Sequence, residues 1–111
     1  MKVKNIDIIN HLNALHELSD VELPVRLTYA IKKNHRRLVT EYSDYDEQLK
    51  ALKEKYKGDT KSEEYGKELR ELLDIGVEIE FHKVKEDVFE TGDFSITARQ
   101  LEALEFMIEI E

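Results

Sequence analysis

The chain contains no cysteine. Disulfide scaffolds, thiolate zinc sites and cysteine nucleophiles are thereby excluded. Proline occurs once and glycine four times in 111 residues, too few for a turn-rich sandwich and in keeping with a helical chain. No apolar run approaches the ~18–20 residues of a membrane-spanning helix, and no signal-peptide apolar region is present. These absences lead to the expectation of a soluble, cytoplasmic protein that makes no membrane contact.

Charge is abundant instead. Asp, Glu, Lys and Arg make up 38% of the residues, against 41% apolar. That apolar share supports one thin core, so residues 1–111 are read as a single domain. The net charge of −8 is unevenly spread: residues 1–40 hold seven Lys/Arg against four Asp/Glu (+3), and residues 41–111 hold ten against twenty-one (−11). An acidic chain is repelled by nucleic acid and anionic lipid, so direct nucleic-acid binding is not expected. It suits a protein partner with a basic surface, although the same acid also serves solubility alone.

Periodicity predicts the elements. Met1–Lys4 alternates like a short strand, and Asn5 is placed to cap a helix carrying Ile6, Ile9, Leu12, Leu15 and Leu18 at helical spacing. Pro24 suits the start of a second helix. From Val25 to Lys57 nothing interrupts, and Leu27, Ile31, Leu38, Tyr42, Tyr45, Leu49, Leu52 and Tyr56 form one stripe. Gly58-Asp59-Thr60 reverses the chain, so that a third helix, Lys61–Asp74, folds back on the second as a hairpin. The period then changes to two: Val77, Ile79 and Phe81 alternate with Glu78, Glu80 and His82, as in a half-buried strand. Glu90-Thr91-Gly92-Asp93 reads as a turn, and Ser95 or Thr97, the latter with Gln100 at the spacing of a capping box, caps a last helix carrying Leu101, Leu104 and Ile108. The expected class is mainly α (α+β): a long helical hairpin with a short N-terminal helix, a small β element near 77–84 and a C-terminal helix. The lone strand and the overhang of the long helix predict a homodimer, joined through Val77–Phe81 or the Tyr42–Tyr56 stripe, with a small intramolecular sheet as the competing outcome.

No motif for chemistry emerges. His11 and His16 are five residues apart, which does not stack them on one helix face, and no His-Glu-x-x-His spacing exists. No serine stands in a Gly-x-Ser-x-Gly context, and there is no Gly-rich phosphate loop. The sequence therefore predicts a non-enzymatic protein with no catalytic residue, metal or cofactor.

Two sets of residues suit binding. Tyr42, Tyr45 and Tyr56 combine apolar area with a hydroxyl, as interface anchors do, and Asp44, Asp46, Glu63 and Glu64 put acid beside them. The same tyrosines serve equally well as hairpin core. The second set is Lys32, Lys33, Arg36 and Arg37, a basic patch that with Arg26 gives residues 26–37 a charge of +5. It reads either as a phosphate-contacting surface or as a charge that pairs internally with the acidic C-terminal half.

The opening Met-Lys-Val-Lys-Asn-Ile-Asp-Ile-Ile-Asn-His-Leu, then Glu22-Leu23-Pro24-Val25, then Tyr29-Ala30-Ile31-Lys32-Lys33-Asn34, resembles small uncharacterised proteins of phages and prophages of Gram-positive bacteria. The resemblance covers residues 1–84 and its motifs are structural, so it transfers no functional residue. It implies a viral setting, inside an infected or lysogenic bacterium or in the virion. There, a small acidic protein is expected either to inhibit a host nuclease defence in the manner of an anti-CRISPR, or to serve as an assembly or structural component of a phage head or tail.

Overall fold

The computed structural model describes residues 1–90 and 94–109. It is mainly helical with small β elements, as the sequence predicts. Strand β1 (Lys2–Lys4) leads directly into helix α1 (Asn5–His16), and the 31-residue helix α2 (Val25–Lys55) follows. Helix α3 (Glu63–Asp74) returns along α2, and strand β2 (Gly76–Glu78) comes next. Strand β3 (Val84–Lys85), a 3₁₀ turn (Glu86–Phe89), helix α4 (Ala98–Leu104), a second 3₁₀ turn (Glu105–Met107) and strand β4 (Ile108–Glu109) complete the chain.

Local chemistry explains the helix ends. The Lys4 N–H donates to the Asp7 carboxylate, placing a negative charge at the N-terminus of α1. Asn5, expected as the cap, is instead buried, and its amide donates to the Leu72 carbonyl at 2.8 Å. Pro24 precedes α2, and its carbonyl accepts from the Leu27 and Thr28 N–H groups. The hairpin turn is made by left-handed backbone at Lys57 and Gly58 (φ 51° and 81°), with the Gly58 N–H donating to the Lys53 carbonyl. Ser62 caps α3 by accepting from the Tyr65 N–H, so α3 begins after Lys61. Thr97 and Gln100 form the expected capping box on α4.

At 1.5 Å per residue α2 is a rod of ~46 Å, and the molecule measures 53 × 25 × 20 Å. The main core lies around the first half of α2. Leu27, Ala30 and Leu38 pack with Ile8 and Leu15 of α1 and with Ile79, Val84, Val88, Leu104 and Met107 of the C-terminal segments. The second half of α2 leaves this core and forms an arm with α3, in which Tyr45, Leu52 and Tyr65 are the buried side chains.

The β structure departs from expectation. β2 pairs antiparallel with β1, Val77 facing Val3, and backbone bonds between Met1 and Ile79 extend the ladder by one step. Regular strand ends at Glu78, not Phe81, because no strand among the described residues lies beside Glu80–Lys83. The alternation there records which side chains face the core. β3 and β4 form a second, parallel pair, Val84 beside Ile108. Ile108 is therefore in a strand, whereas its spacing reads as helix. Val77 is thus paired inside the chain with Val3, the intramolecular alternative expected for this strand, while the two-stranded sheet leaves the outer edge of each strand open among the described residues. Of the expected turn Glu90–Asp93, residues 91–93 lie outside the described residues.

Candidate functional site

The structure first redistributes the residues that the sequence singles out. On the arm, the Tyr42 and Tyr45 rings lie 5.7 Å apart and Tyr56 meets Tyr65 edge to face at 6.0 Å. Tyr45 is buried and burial raises its hydroxyl pKa, so its ring belongs to the packing of the arm and is not offered to a partner. Tyr56 donates to the Glu68 carboxylate at 2.6 Å, and Lys55 reaches the same carboxylate at 2.9 Å. These two hydrogen bonds, that from Tyr56 first, hold Glu68 below the usual carboxylate range. Asp46 pairs with Lys50 one helical turn on. Asp44 is exposed, as are Glu63 and Glu64 in the first turn of α3. Asp46 lies ten residues before the C-cap Tyr56, ~15 Å of helix, while Glu63 and Glu64 lie beyond the turn. The acids of the arm thus do not converge.

The basic patch is likewise divided. Arg37 donates to the Glu80 carbonyl and fastens the extended segment onto α2. The Lys33 ammonium sits 5.2 Å from the centre of the Tyr29 ring. Lys32 and Arg36 turn towards a groove between α1 and α2. Internal pairing with the acidic half is limited to Arg26 and Asp87, 3.7 Å apart, among the described residues.

Carboxylates converge elsewhere, where the sequence reading names none. Val88 is buried and anchors the first 3₁₀ turn, which turns Glu86, Asp87 and Glu90 outward. Leu104 anchors α4 in the same way and leaves Leu101 and Glu105 on its outer side. β4 then lays Ile108 and Glu109 beside Val84 and Lys85. The result is a groove of about 420 Å³ with Phe89, Ile96, Leu101 and Ile108 as its floor and Glu86, Glu90 and Glu105 as its rim. A neighbouring hollow of about 270 Å³ shares Glu86 and Glu90 and adds Asp87, Glu109 and one cation, Lys85, which forms no ion pair among the described residues.

No ion pair among the described residues involves Glu86, Glu90, Glu105 or Glu109. Residues 91–93 and 110–111 are Thr, Gly, Asp, Ile and Glu, and so supply no cation. All four carboxylates are exposed, so water solvates them and salt screens their repulsion beyond ~8–10 Å. The sequence does carry a signal for this site. Residues 86–111 hold eight Asp/Glu and a single cation, Arg99, and Arg99 is engaged with Glu17 at 2.8 Å. Reading the last segment as one long helix hid the convergence, because only the parallel β3–β4 pair brings Glu109 back to Glu86.

Among the described residues no group of three or more His, Asp or Glu is arranged to hold a metal ion, and none of the helices is long and apolar enough to cross a membrane. Compared with protein families, with curated proteins and with solved structures, the chain matches none.

Proposed function

We propose that the protein is non-enzymatic and acts by binding a protein partner, with the acidic groove receiving a basic, partly apolar segment of that partner. The observation that carries this reading is the meeting of Glu86 and Glu90, from the first 3₁₀ turn and its C-cap, with Glu105, from the second, around an apolar floor. Carboxylates that lack internal cations gain most from a cationic partner, and apolar floor area adds the non-directional part of the affinity. In the phage setting that the resemblance implies, the partner is a host nuclease, and the carboxylates engage cationic side chains with which it holds nucleic acid, an anti-CRISPR-like inhibition.

A second reading, an assembly or structural component of a phage head or tail, is favoured by a different observation. The far end of the α2–α3 arm, where Tyr45, Leu52 and Tyr65 are the buried side chains, lies outside the main core cluster. Such an arm suits contacts between subunits.

A short amphipathic peptide of alternating Lys and Leu turns, followed by fluorescence anisotropy, distinguishes the two. The groove reading expects saturable binding that weakens with salt and falls about tenfold or more in Glu86→Lys/Glu105→Lys. Equal binding by that variant would contradict it.

A further inference from the structure

A second groove, unrelated to the acidic one, runs between the end of α1, the connecting loop and the first half of α2, with a volume of about 440 Å³. Its apolar lining comes from Leu15 and Leu18, both nearly fully buried, with Val21, Leu23 and Ile31. Every charged or titratable side chain that lines it is a cation or a histidine: His16, Lys32, His35 and Arg36. The remaining polar liners, Ser19 and Thr28, are hydroxyls, and Thr28 is bonded to the Leu23 carbonyl. The neighbouring acids of the loop do not line it, and Glu17 is turned away to Arg99. Lys32, His35 and Arg36 form no ion pair among the described residues.

The groove is also polar along its length. Thr28 and Ile31 lie beside the apolar loop residues, while Lys32, His35 and Arg36 follow over the next turn of α2. From Thr28 to Arg36 is ~12 Å of helix. The volume falls in the range of small-molecule sites, ~300–1,000 Å³. A ligand that fits has an apolar tail for Leu18, Val21, Leu23 and Ile31 and one anionic head for Lys32 and Arg36. We propose that this groove binds a single-chain fatty carboxylate of medium length.

The test uses the full chain and sodium decanoate, with titration calorimetry and amide NMR shifts. Decanoate is expected to bind one to one and to shift the amides of residues 18–23 and 31–36. Its uncharged methyl ester, and decanoate on Lys32→Glu/Arg36→Glu, are each expected to bind about tenfold more weakly or worse. Both side chains are exposed, so the double variant keeps the fold. Lys32→Gln/Arg36→Gln, which introduces no acid, provides the same comparison if it does not. Equal affinity for acid and ester, an undiminished double variant, shifts confined to other surfaces, or binding of an acidic peptide in place of decanoate would each overturn the proposal.

Discussion

Asn34 and His82 exchange two hydrogen bonds across the core: the Asn34 amide donates to the His82 carbonyl at 2.9 Å, and the His82 N–H donates to the Asn34 carbonyl oxygen at 2.6 Å. A fully buried side chain in the first half of α2 thus stands in for the missing neighbouring strand and satisfies both backbone groups of His82 in the extended segment. Its amide also lies 3.5 Å from the Met107 sulfur, so one residue ties α2 to two later segments.

Asn34→Ala leaves the part-buried N–H and carbonyl of His82 without their partner and is expected to cost about 2–3 kcal/mol. At this chain length the melting temperature then falls by roughly 10 °C or more. Arg37→Ala removes only an exposed contact to the Glu80 carbonyl and is expected to cost less than about 1 kcal/mol. Urea unfolding of both variants checks the order. A milder loss for Asn34→Ala than for Arg37→Ala would show that the extended segment is held mainly from the surface.

The Asn34 contact also marks where sequence reading stops. Helical spacing locates α2 well, because every residue of the expected stripe, from Leu27 to Tyr56, is at least half-buried. Asn34 falls on the same stripe but is polar, and periodicity of apolar residues passes over it. The strand after α3 is found by its alternation, yet alternation reports burial and says nothing of the pairing partner. The acidic groove fails to show for a similar reason. Its rim depends on β3 lying parallel to β4, a contact between residues more than twenty positions apart that only two-residue strands encode.

His11 stacks on Phe106 at 4.1 Å and meets Phe81 edge-on at 6.4 Å. Burial lowers its pKa from 6.5, and the charge of Asp7 offsets this only in part. The folded chain therefore takes up this proton less readily than the unfolded chain. The contribution of His11 to stability is complete above the unfolded value near 6.5 and is lost as the pH falls below it, towards the folded value. Denaturant midpoints at pH 7.5 and 5.5 are expected to separate in the wild type and to draw together in His11→Phe. An unchanged separation would assign the acid sensitivity to other groups.

The arm is expected to loosen independently of the core. Leu52→Ala removes one of its few buried side chains and costs about 2–3 kcal/mol, near the lower end for such changes because a two-helix arm relaxes around the space. Amide exchange is the decisive readout. Protection falls first over the second half of α2 and over α3, while α1 and the first half of α2 keep theirs. A uniform loss across the chain would show that arm and core unfold as one unit.

Duplex DNA at physiological salt is expected to bind no more tightly than ~10⁻⁴ M, the weak end of non-specific affinity, since a net charge of −8 opposes approach. Lys33 and Arg37 are already occupied by Tyr29 and the Glu80 carbonyl. Micromolar binding that disappears in Arg36→Glu/Arg37→Glu would make the α2 patch a nucleic-acid contact.

The partner surface is expected at the acidic groove and not on the arm. Mapping amide NMR shifts during titration with a basic amphipathic peptide locates the contact directly. Shifts are expected at Glu86–Glu90 and across Ile96–Glu109, with the arm from Tyr42 to Tyr56 unmoved. Shifts centred on Tyr42–Tyr56 and Glu63–Glu64, with the groove silent, would contradict the account and return the binding surface to the hairpin.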